Sequence, residues 1–277
     1  MRGVTLKTGE AVPALGQGTW HIGDRRDRRK EELETLRLGL DLGMTLVDTA
    51  EMYGEGAAEE LVGEAIRGRR DEVFLVTKVY PHNASRAGVA AACARSLKRL
   101  GTDRIDLYLL HWRGSVPLRD TVAGFQALQR AGHIRHWGVS NLDVDDMEEL
   151  SGVPDGERCV ADQVLYNPAR RGIEFDLLPW CDRTRTAVMA YTPLEPDRLA
   201  RNRALQEIAA RRGVAPLQVA LAWVLRRPGV IAIPKASRPE HVRQNRAAAD
   251  IVLGADDLAT IDAAFPPPQR KRALEML

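Results

Sequence analysis

A chain of 277 residues with 44% hydrophobic and 28% charged residues has a globular composition and is long enough to bury most of its apolar surface in one core. Its 40 basic and 38 acidic residues give a net charge of +2, so nothing electrostatic favours nucleic acid or an anionic membrane as partner. Three cysteines without a CxxC pair exclude a disulfide framework and a zinc site, and indicate buried thiols in a reducing compartment.

The first ten residues contain no apolar stretch of the kind found in a signal peptide. The sequence also has no run of about 18 apolar residues that could cross a membrane. We therefore expect a cytoplasmic protein without a membrane partner, and no feature of the sequence requires more than a monomer.

Eight short apolar runs recur along the chain and predict β-strands. They alternate poorly, so both faces of each strand are expected to be covered, as in a parallel sheet flanked by helices. The predicted strands are 16–20, 45–48, 73–79, 106–111, 134–139, 159–166, 187–191 and 230–233. Ahead of them, segments 4–6 and 11–14, joined through Thr8 and Gly9, predict an antiparallel hairpin.

Longer amphipathic segments separate the strands and predict helices. The clearest ones are 26–42, 85–100, 118–131, 202–212, 217–226 and 255–265. Gly101, Gly132 and Gly213 follow three of these segments, where a left-handed residue commonly ends a helix. Pro216 and Pro239 suit the first turns of the helices that they precede.

The alternation of eight strands with helices predicts an α/β fold, a (β/α)8 TIM barrel with the N-terminal β-hairpin across its floor. A doubly wound parallel sheet is the main alternative. Because no linker or low-complexity segment interrupts the pattern, residues 1–277 are expected to form a single domain.

Four polar side chains stand near the ends of three consecutive predicted strands. Asp48 ends the second strand and Tyr53 lies five residues further on, whereas Lys78 lies in the third strand and His111 ends the fourth. Each alone has a structural explanation, as a helix cap, a loop aromatic, an exposed strand end or a core histidine. Together they predict a catalytic site, because the strands of a barrel end at one face.

These four groups suit the reduction of a carbonyl group. A phenol has a pKa of about 10, and an ammonium group beside it is expected to lower that pKa. Lys78 can supply this charge, and Asp48 can hold Lys78 in its charged form. His111 can hydrogen-bond a carbonyl oxygen and orient it. Tyr53 is therefore the predicted proton donor.

Several segments resemble signatures of the aldo-keto reductase family, among them its DTAxxYG, GxIRxxGVSN and IPKS…EN patterns. The segments that carry the likeness are 15–20 (LGQGTW), 48–54 (DTAEMYG), 132–141 (GHIRHWGVSN), 233–237 (IPKAS) and 244–245 (QN). They occur in the family's order and run from about Val4 to Asn245, which makes the resemblance specific.

The resemblance implies a (β/α)8 barrel enzyme that reduces aldehydes and ketones with NADP(H). It places the family's four catalytic groups on Asp48, Tyr53, Lys78 and His111. Tyr53 would protonate the carbonyl oxygen while a hydride arrives from NADPH. The segment from Ala264 onward is similar to the ends of bacterial members of the methylglyoxal reductase and 2,5-diketo-gluconate reductase types. This similarity favours methylglyoxal and other small α-oxo carbonyls as substrates.

The cofactor is implied by the resemblance, because no GxGxxG fingerprint follows a strand in this sequence. By similarity the cofactor lies extended over the barrel mouth. The expected contacts are the carboxamide with Ser140, Asn141 and Gln163, the nicotinamide ring with Tyr191, and the pyrophosphate with Thr192, Pro193 and Leu194.

The 2′-phosphate of NADPH is expected near the helix that follows the last strand, where cations and amide N–H groups suit a phosphate. The residues expected there are Lys235, Ala236, Ser237, Arg238, His241, Gln244 and Asn245. The family often has serine where Ala236 stands and arginine where His241 stands. The remaining cations predict a preference for NADPH over NADH.

The substrate pocket is expected to be walled by aromatic residues that follow or end strands. By family position these are Trp20, Tyr80 and Trp112. The connections 113–117 and 194–201 are short, and the tail beyond Phe265 is brief and polar. We therefore expect an open site for small aldehydes, α-oxo aldehydes or α-ketoesters rather than for steroids.

Three other functions fit the sequence less well. A non-catalytic NADPH-binding regulatory module, such as the β-subunits of potassium channels, shares the fold, but the catalytic set here is complete. A phosphate-binding isomerase or lyase would need a late glycine-rich loop, where segments 192–194 and 234–236 stand instead. The sequence has no HxH or HExxH motif for a metal-dependent hydrolase, and no metal site is expected.

Overall fold

An antiparallel hairpin opens the chain, which the computed structural model describes from residue 2 to residue 277. Its strands are β1 (Gly3–Thr5) and β2 (Ala11–Pro13). Leu6 and Val12 are buried against the barrel. The Glu10 carboxylate lies 2.6 Å from Arg135 Nη1 and 2.6 Å from His136 Nε2, at the start of a barrel strand. These contacts fix the predicted hairpin to the barrel floor.

Eight parallel strands form the barrel and pair in chain order. They are β3 (Gln17–Gly18), β4 (Leu46–Asp48), β5 (Phe74–Val79), β6 (Ile105–Leu110), β7 (Ile134–Ser140), β8 (Ala161–Leu165), β9 (Ala187–Tyr191) and β10 (Val230–Ala232). The amide of Gly16 donates to the carbonyl of Ala232, and the amide of Ala232 donates to the carbonyl of Ala14. These bonds join the first strand to the last, so the TIM barrel is confirmed and a doubly wound open sheet is excluded.

Helices cover the outside of the barrel. They are α1 (Arg29–Asp41), α2 (Ala57–Ala65), α3 (Arg86–Leu100), α4 (Leu118–Arg130), α5 (Val144–Gly152), α6 (Leu177–Thr184), α7 (Pro196–Leu199), α8 (Arg203–Arg212), α9 (Pro216–Leu225), α10 (Pro239–Ala248) and α11 (Ala255–Ala264). Short 3-10 turns lie at Arg26–Arg28, Tyr53–Gly56, Arg70–Glu72, Pro81–Asn83, Gly156–Arg158 and Gly172–Glu174. Within residues 2–277, no single helix is long and apolar enough to cross a membrane. One pair, α8 and α9, has sufficient length and apolar character when taken together, but a 94° bend separates the two helices.

The predicted helix ends are confirmed at the punctuating residues, including Gly132, which has a φ of 77° directly after the C-cap of α4. Gly101 and Gly213 adopt the left-handed conformation directly after α3 and α8. Pro216 and Pro239 are the first residues of α9 and α10. The sequence did not single out α2, α5 and α6, which are short; α6 also contains Pro179.

Aromatic side chains fill the layer between the strands and the helices. Tyr108 of β6 and Trp137 of β7 both pack on Phe125 of α4, with ring centroids 5.6 Å apart in each pair. All three are almost completely buried. Pairs of this kind contribute about 0.5–1.5 kcal/mol beyond their buried area, so this cluster anchors α4 on the barrel.

Asp162 of β8 is a buried carboxyl group on the outer side of the barrel wall. Its neighbour Gln163 points inward, so Asp162 points towards the helices. Among residues 2–277, neither carboxyl oxygen has a hydrogen-bond partner of good geometry. Burial raises the pKa of Asp162 well above its ordinary value, and the nearby Leu142 amide only partly opposes this. The folded chain therefore favours the neutral acid.

The free energy of unfolding should consequently fall as the pH rises from about 4, where Asp162 titrates in the unfolded chain, towards its raised pKa in the folded state. The folded state keeps the Asp162 proton, whereas the unfolded chain releases it above about pH 4, at a cost to folding of about 1.4 kcal/mol per pKa unit of difference. We predict that Asp162→Asn gains stability relative to the wild type as the pH is raised from 5 to 8. Urea unfolding of both proteins at each pH measures this difference, and a difference that stays constant with pH would contradict it.

Candidate active site

The four predicted catalytic side chains meet at the C-terminal mouth of the barrel. Asp48 is the last residue of β4, Lys78 is the fifth residue of β5, and His111 directly follows β6. Tyr53 begins the 3-10 turn after β4. Parallel pairing of β4, β5 and β6 brings the four groups to one edge of the sheet although 63 positions separate the first from the last.

Asp48 and Lys78 form a hydrogen-bonded ion pair that is closed to solvent. Lys78 Nζ lies 2.7 Å from Asp48 Oδ2. The Lys78 side chain is 0% exposed and the Asp48 side chain 2%. The ammonium group also donates to the carbonyl of Thr49 at 2.9 Å. Its third contact is the phenol oxygen of Tyr53 at 3.1 Å. All three protons of Lys78 therefore have partners, and one of them faces the phenol.

The Tyr53 phenol does not have the net pKa shift that the sequence suggested. Burial raises the pKa of Tyr53, the Lys78 ammonium lowers it, and Asp48 raises it. The predicted effect of Lys78 has the right sign, but the predicted net lowering is wrong because burial outweighs it. A raised pKa keeps the phenol protonated at neutral pH, which is the form that a proton donor needs.

The ion pair itself stays charged despite its burial. Burial alone would lower the pKa of Lys78, but the charge of Asp48 and the contact with Tyr53 outweigh burial and raise it. Burial raises the pKa of Asp48, and the contacts with Lys78 and Gln163 oppose this shift only in part. Lys78 therefore carries a positive charge beside the phenol.

His111 is a neutral imidazole at the edge of this cluster. Its ring stands edge-on to Tyr53 with centroids 5.8 Å apart. Burial and the nearby Lys78 charge lower the pKa of His111 to about 2. A neutral imidazole beside the phenol can donate one N–H to a substrate oxygen without taking up a proton.

A cavity of about 710 Å³ opens over these groups. Most of the predicted site residues line it: Trp20, Asp48, Tyr53, His111, Trp112, Ser140, Asn141, Gln163, Tyr191, Thr192, Pro193, Leu194, Lys235, His241, Gln244 and Asn245. Lys78 does not line the cavity itself but contacts two residues that do, Asp48 and Tyr53. The contacts of these residues with a cofactor stay a prediction.

Hydrogen bonds fix the polar wall next to the catalytic groups. Asn141 donates to the carbonyl of His111 at 3.3 Å and accepts from the Tyr191 hydroxyl at 3.0 Å. Its backbone has a φ of 59°, which asparagine tolerates better than most residues. The Ser140 hydroxyl donates to the backbone carbonyl of Gln163 at 2.8 Å. The amide, the hydroxyl and the Tyr191 ring therefore present one ordered surface to the cavity.

Tyr80 is not among the residues that line the cavity, and its place in the substrate wall stays a prediction. Its backbone amide donates to the Glu51 carboxylate at 2.9 Å, and a 3-10 turn starts at Pro81. The Tyr80 ring instead meets Trp112 edge-on at 5.8 Å. It supports an aromatic residue that does line the cavity.

Three of the residues predicted near the 2′-phosphate also lie outside the cavity wall. Ala236, Ser237 and Arg238 follow Lys235 and directly precede α10, whereas Lys235 itself lines the cavity. This part of the predicted phosphate site is adjacent to the cavity, and its contacts remain to be tested.

The C-terminal tail was expected to leave the mouth open, and the structure corrects this. Met276 and Leu277 line the cavity. Arg170 donates to Glu195, in the loop after β9, and to Glu275 of the tail, at 2.8 Å in both cases. The tail is therefore tied to the loop that borders the cavity. In the sequence, the one sign that the tail contacts the cavity is the apolar pair Met276 and Leu277, which follows a stretch rich in charged residues.

Other wall residues were also missed by the sequence analysis. They are Gly18, Thr19, Met52, Glu195, Pro196, Asp197, Arg198, Leu217, Gln218, Ile233 and Pro234. Met52 falls on an unspecified position of the DTAxxYG pattern, directly before Tyr53. Its place beside a predicted catalytic residue is the signal that could have identified it as a wall residue. The residues of α7 and α9 reach the mouth only through tertiary packing.

The closed barrel and the lysine, aspartate, tyrosine and histidine at its mouth define a barrel oxidoreductase. A model described as "Aldo/keto reductase family" matches residues 14–265, and the chain belongs to this family. Methylglyoxal reductase YeaE of Escherichia coli is 50% identical over 272 residues, 96% of each chain. Glyoxal reductase of Bacillus subtilis is 32% identical over 264 residues, 94% of this chain and 91% of the relative. The predicted family is confirmed.

Solved structures agree with this assignment. An aldo/keto reductase from Klebsiella pneumoniae, in complex with NADP and acetate, has a TM-score of 0.97 at 52% identity and covers 99% of each chain. The thermostable aldo-keto reductase Tm1743, in complex with the inhibitor epalrestat, has a TM-score of 0.89 at 40% identity. That match covers 95% of this chain and 100% of the other.

The pKa shifts predict a reduction rate that depends little on pH. The phenol, whose pKa is raised, keeps its proton up to about pH 10, and the imidazole, with a pKa of about 2, stays neutral. We expect kcat for carbonyl reduction, at saturating cofactor and corrected for spontaneous cofactor decay, to be flat from about pH 6 to 9. An acid limb centred near pH 6.5 would show that His111 titrates and would contradict this.

Proposed function

We propose that the chain reduces small aldehydes and ketones, such as methylglyoxal and other α-oxo carbonyls, to alcohols with NADPH. Tyr53 serves as the general acid. The observation that carries the proposal is the phenol oxygen of Tyr53, which faces the cavity and lies 3.1 Å from the buried ammonium of Lys78. This arrangement provides a proton donor at the place where a carbonyl oxygen would gain negative charge.

The proton transfer follows from the contacts of the phenol. A carbonyl carbon that receives a hydride leaves its oxygen negative, and that oxygen takes the Tyr53 proton as the O–H bond of the alcohol forms. The tyrosinate left behind is stabilised by Lys78, which already donates to the same oxygen. Asp48 keeps Lys78 charged and in place. The tyrosinate then regains a proton from solvent through the cavity.

His111 positions the substrate. A neutral imidazole whose ring stands edge-on to Tyr53 can donate to the same carbonyl oxygen that the phenol protonates. Two donors on one oxygen fix the direction of the C=O bond and polarise it. Because His111 stays neutral, it does not compete with Tyr53 as the acid.

The residues of the cavity fit NADP(H). The bound cofactor would supply the hydride. Asn141 and Gln163 present amides beside the catalytic groups, Tyr191 presents a ring, and Lys235 presents a cation where the chain enters α10. These groups suit a carboxamide, a nicotinamide ring and a phosphate respectively. One aldo/keto reductase structure from K. pneumoniae contains NADP and acetate, and an aldo-keto reductase structure from the same organism contains NADPH.

The substrate side of the cavity favours small molecules. Trp20, Met52, Trp112, Met276 and Leu277 form an apolar wall around the catalytic groups. The C-terminal tail narrows the mouth, which disfavours a rigid polycyclic ketone. Two relatives, from E. coli and B. subtilis, are named for methylglyoxal and glyoxal reduction, and both compounds carry adjacent carbonyl groups.

Tyr53→Phe tests this proposal, because it removes the proton donor and almost no volume. We predict that the rate of NADPH oxidation with methylglyoxal falls at least about 10²-fold, whereas the Kd for NADPH is retained. Tyr108→Phe is the matched control, since the Tyr108 hydroxyl is buried in the helix layer without a partner among the described residues. The control should keep the wild-type rate.

The same assay tests substrate and cofactor preference. With the wild type, methylglyoxal and an α-ketoester should have a higher kcat/KM than a steroid ketone, and NADPH a higher one than NADH. Full activity of Tyr53→Phe would overturn the assignment of the acid. A wild type that binds NADPH but reduces none of these carbonyls would instead identify a non-catalytic NADPH-binding module.

A further inference from the structure

Gln163 makes a contact that cofactor binding alone does not require. Its side-chain Nε2 donates to Asp48 Oδ1 at 2.7 Å, across the barrel mouth from β8 to β4. Both side chains are almost completely buried, with 2% and 1% of the residue exposed. The other carboxylate oxygen of Asp48 accepts from Lys78. One amide and one ammonium group therefore share the carboxylate.

This hydrogen bond fixes which way the Gln163 amide points. An ionised carboxylate only accepts hydrogen bonds, so the nitrogen of the amide must face Asp48 and the oxygen must face away. Gln163 lines the cavity, and no donor among residues 2–277 hydrogen-bonds to its Oε1. The amide thus offers an acceptor to the cavity. The –NH2 of a carboxamide is a donor that matches it.

The contacts of Gln163 continue to the phenol without a gap. Gln163 donates to Asp48, Lys78 donates to Asp48, and Lys78 also donates to Tyr53. In a buried chain of hydrogen bonds each bond polarises the next. A donor that engages Oε1 strengthens the N–H bond to Asp48, and less of the carboxylate charge then acts on the phenol.

We propose that Gln163 is a positioning residue that links the cofactor carboxamide, through Asp48 and Lys78, to the Tyr53 phenol. The link rests on the proposed function, since it requires Tyr53 to be the acid and a nicotinamide carboxamide to lie at Gln163. It assigns Gln163 a second role besides binding. The enzyme's acid is tuned to its full strength only when the cofactor is in place.

Gln163→Met tests the link, because methionine has a similar length and shape but cannot donate to Asp48. At saturating NADPH, kcat should fall about 10-fold or more. In the cofactor-free protein the Tyr53 pKa should rise by about half a unit or more, because Asp48 then pulls harder on Lys78. The Tyr53 titration is read as the difference in tyrosinate absorbance between each protein and its Tyr53→Phe counterpart.

Gln163→Glu provides a rescue that a purely structural role would not predict. When protonated, the new carboxyl group can donate to Asp48, and when ionised it repels Asp48. The kcat of this variant should approach the wild-type value at acidic pH and fall at least about 10-fold as the pH rises. Gln163→Met should stay low throughout.

Gln17 supplies a matched control. It is a buried glutamine of β3 whose Nε2 donates to the carbonyls of Leu36 and Met44, on the helix side of the barrel. Gln17→Met should lower thermal stability as much as or more than Gln163→Met, yet leave kcat and the Tyr53 titration unchanged. This comparison separates the loss of any buried amide from the loss of this one.

The outcomes distinguish the link from the proposed function. The link would be overturned if Gln163→Met had a larger Kd for NADPH but a wild-type kcat, and if the kcat of Gln163→Glu did not recover at acidic pH. Gln163 would then be a binding residue only. If that result came with an inactive Tyr53→Phe, the proposed function would still stand. If Tyr53→Phe were fully active, the proposed function would fall, whatever Gln163 does.

Discussion

The buried ion pair between Asp48 and Lys78 is the interaction on which the active site depends. Either ion alone would cost several kcal/mol to bury, so the two can occupy the barrel mouth only together. Parallel pairing of β4 and β5 brings them to 2.7 Å, and the Thr49 carbonyl accepts a second hydrogen bond from the ammonium group. The remaining proton is directed at Tyr53. The fold thereby holds a fixed positive charge against a neutral phenol.

The two halves of the barrel supply different parts of the site. The strands up to β6 carry the ion pair, the phenol and the imidazole, whereas the strands from β7 onward carry the amides and the ring of the cofactor cleft. Gln163 bridges the halves by its bond to Asp48. On the outer rim, Arg170 ties the loop after β9 to the C-terminal tail. In the proposed function, binding and chemistry are thus built on separate strands that meet at one mouth.

The strands and the cluster of four polar side chains could be predicted from the sequence, because apolar runs mark buried strands and polar residues at their ends stand out. Asp48 and Lys78 could be paired on chemistry alone. The net pKa shift of Tyr53 could not be predicted, since it depends on how completely neighbouring side chains exclude water. The surroundings of Tyr80, Asp162 and Met276 depend on tertiary packing that no local pattern encodes. Tyr80 packs on Trp112, Asp162 is buried without a hydrogen-bond partner among the described residues, and Arg170 ties the tail to the loop after β9.

Hydride transfer in a single turnover of Lys78→Met, followed by the loss of NADPH absorbance, tests the central role of the ion pair most directly. Removing the ammonium should slow hydride transfer at least about 10²-fold, with the Kd for NADPH unchanged because Lys78 does not line the cavity. Hydride transfer in the double variant Asp48→Asn/Lys78→Met should be no slower than in Lys78→Met alone, because the two groups act as a unit. Hydride transfer at the wild-type rate in folded Lys78→Met would contradict the dependence of Tyr53 on this pair.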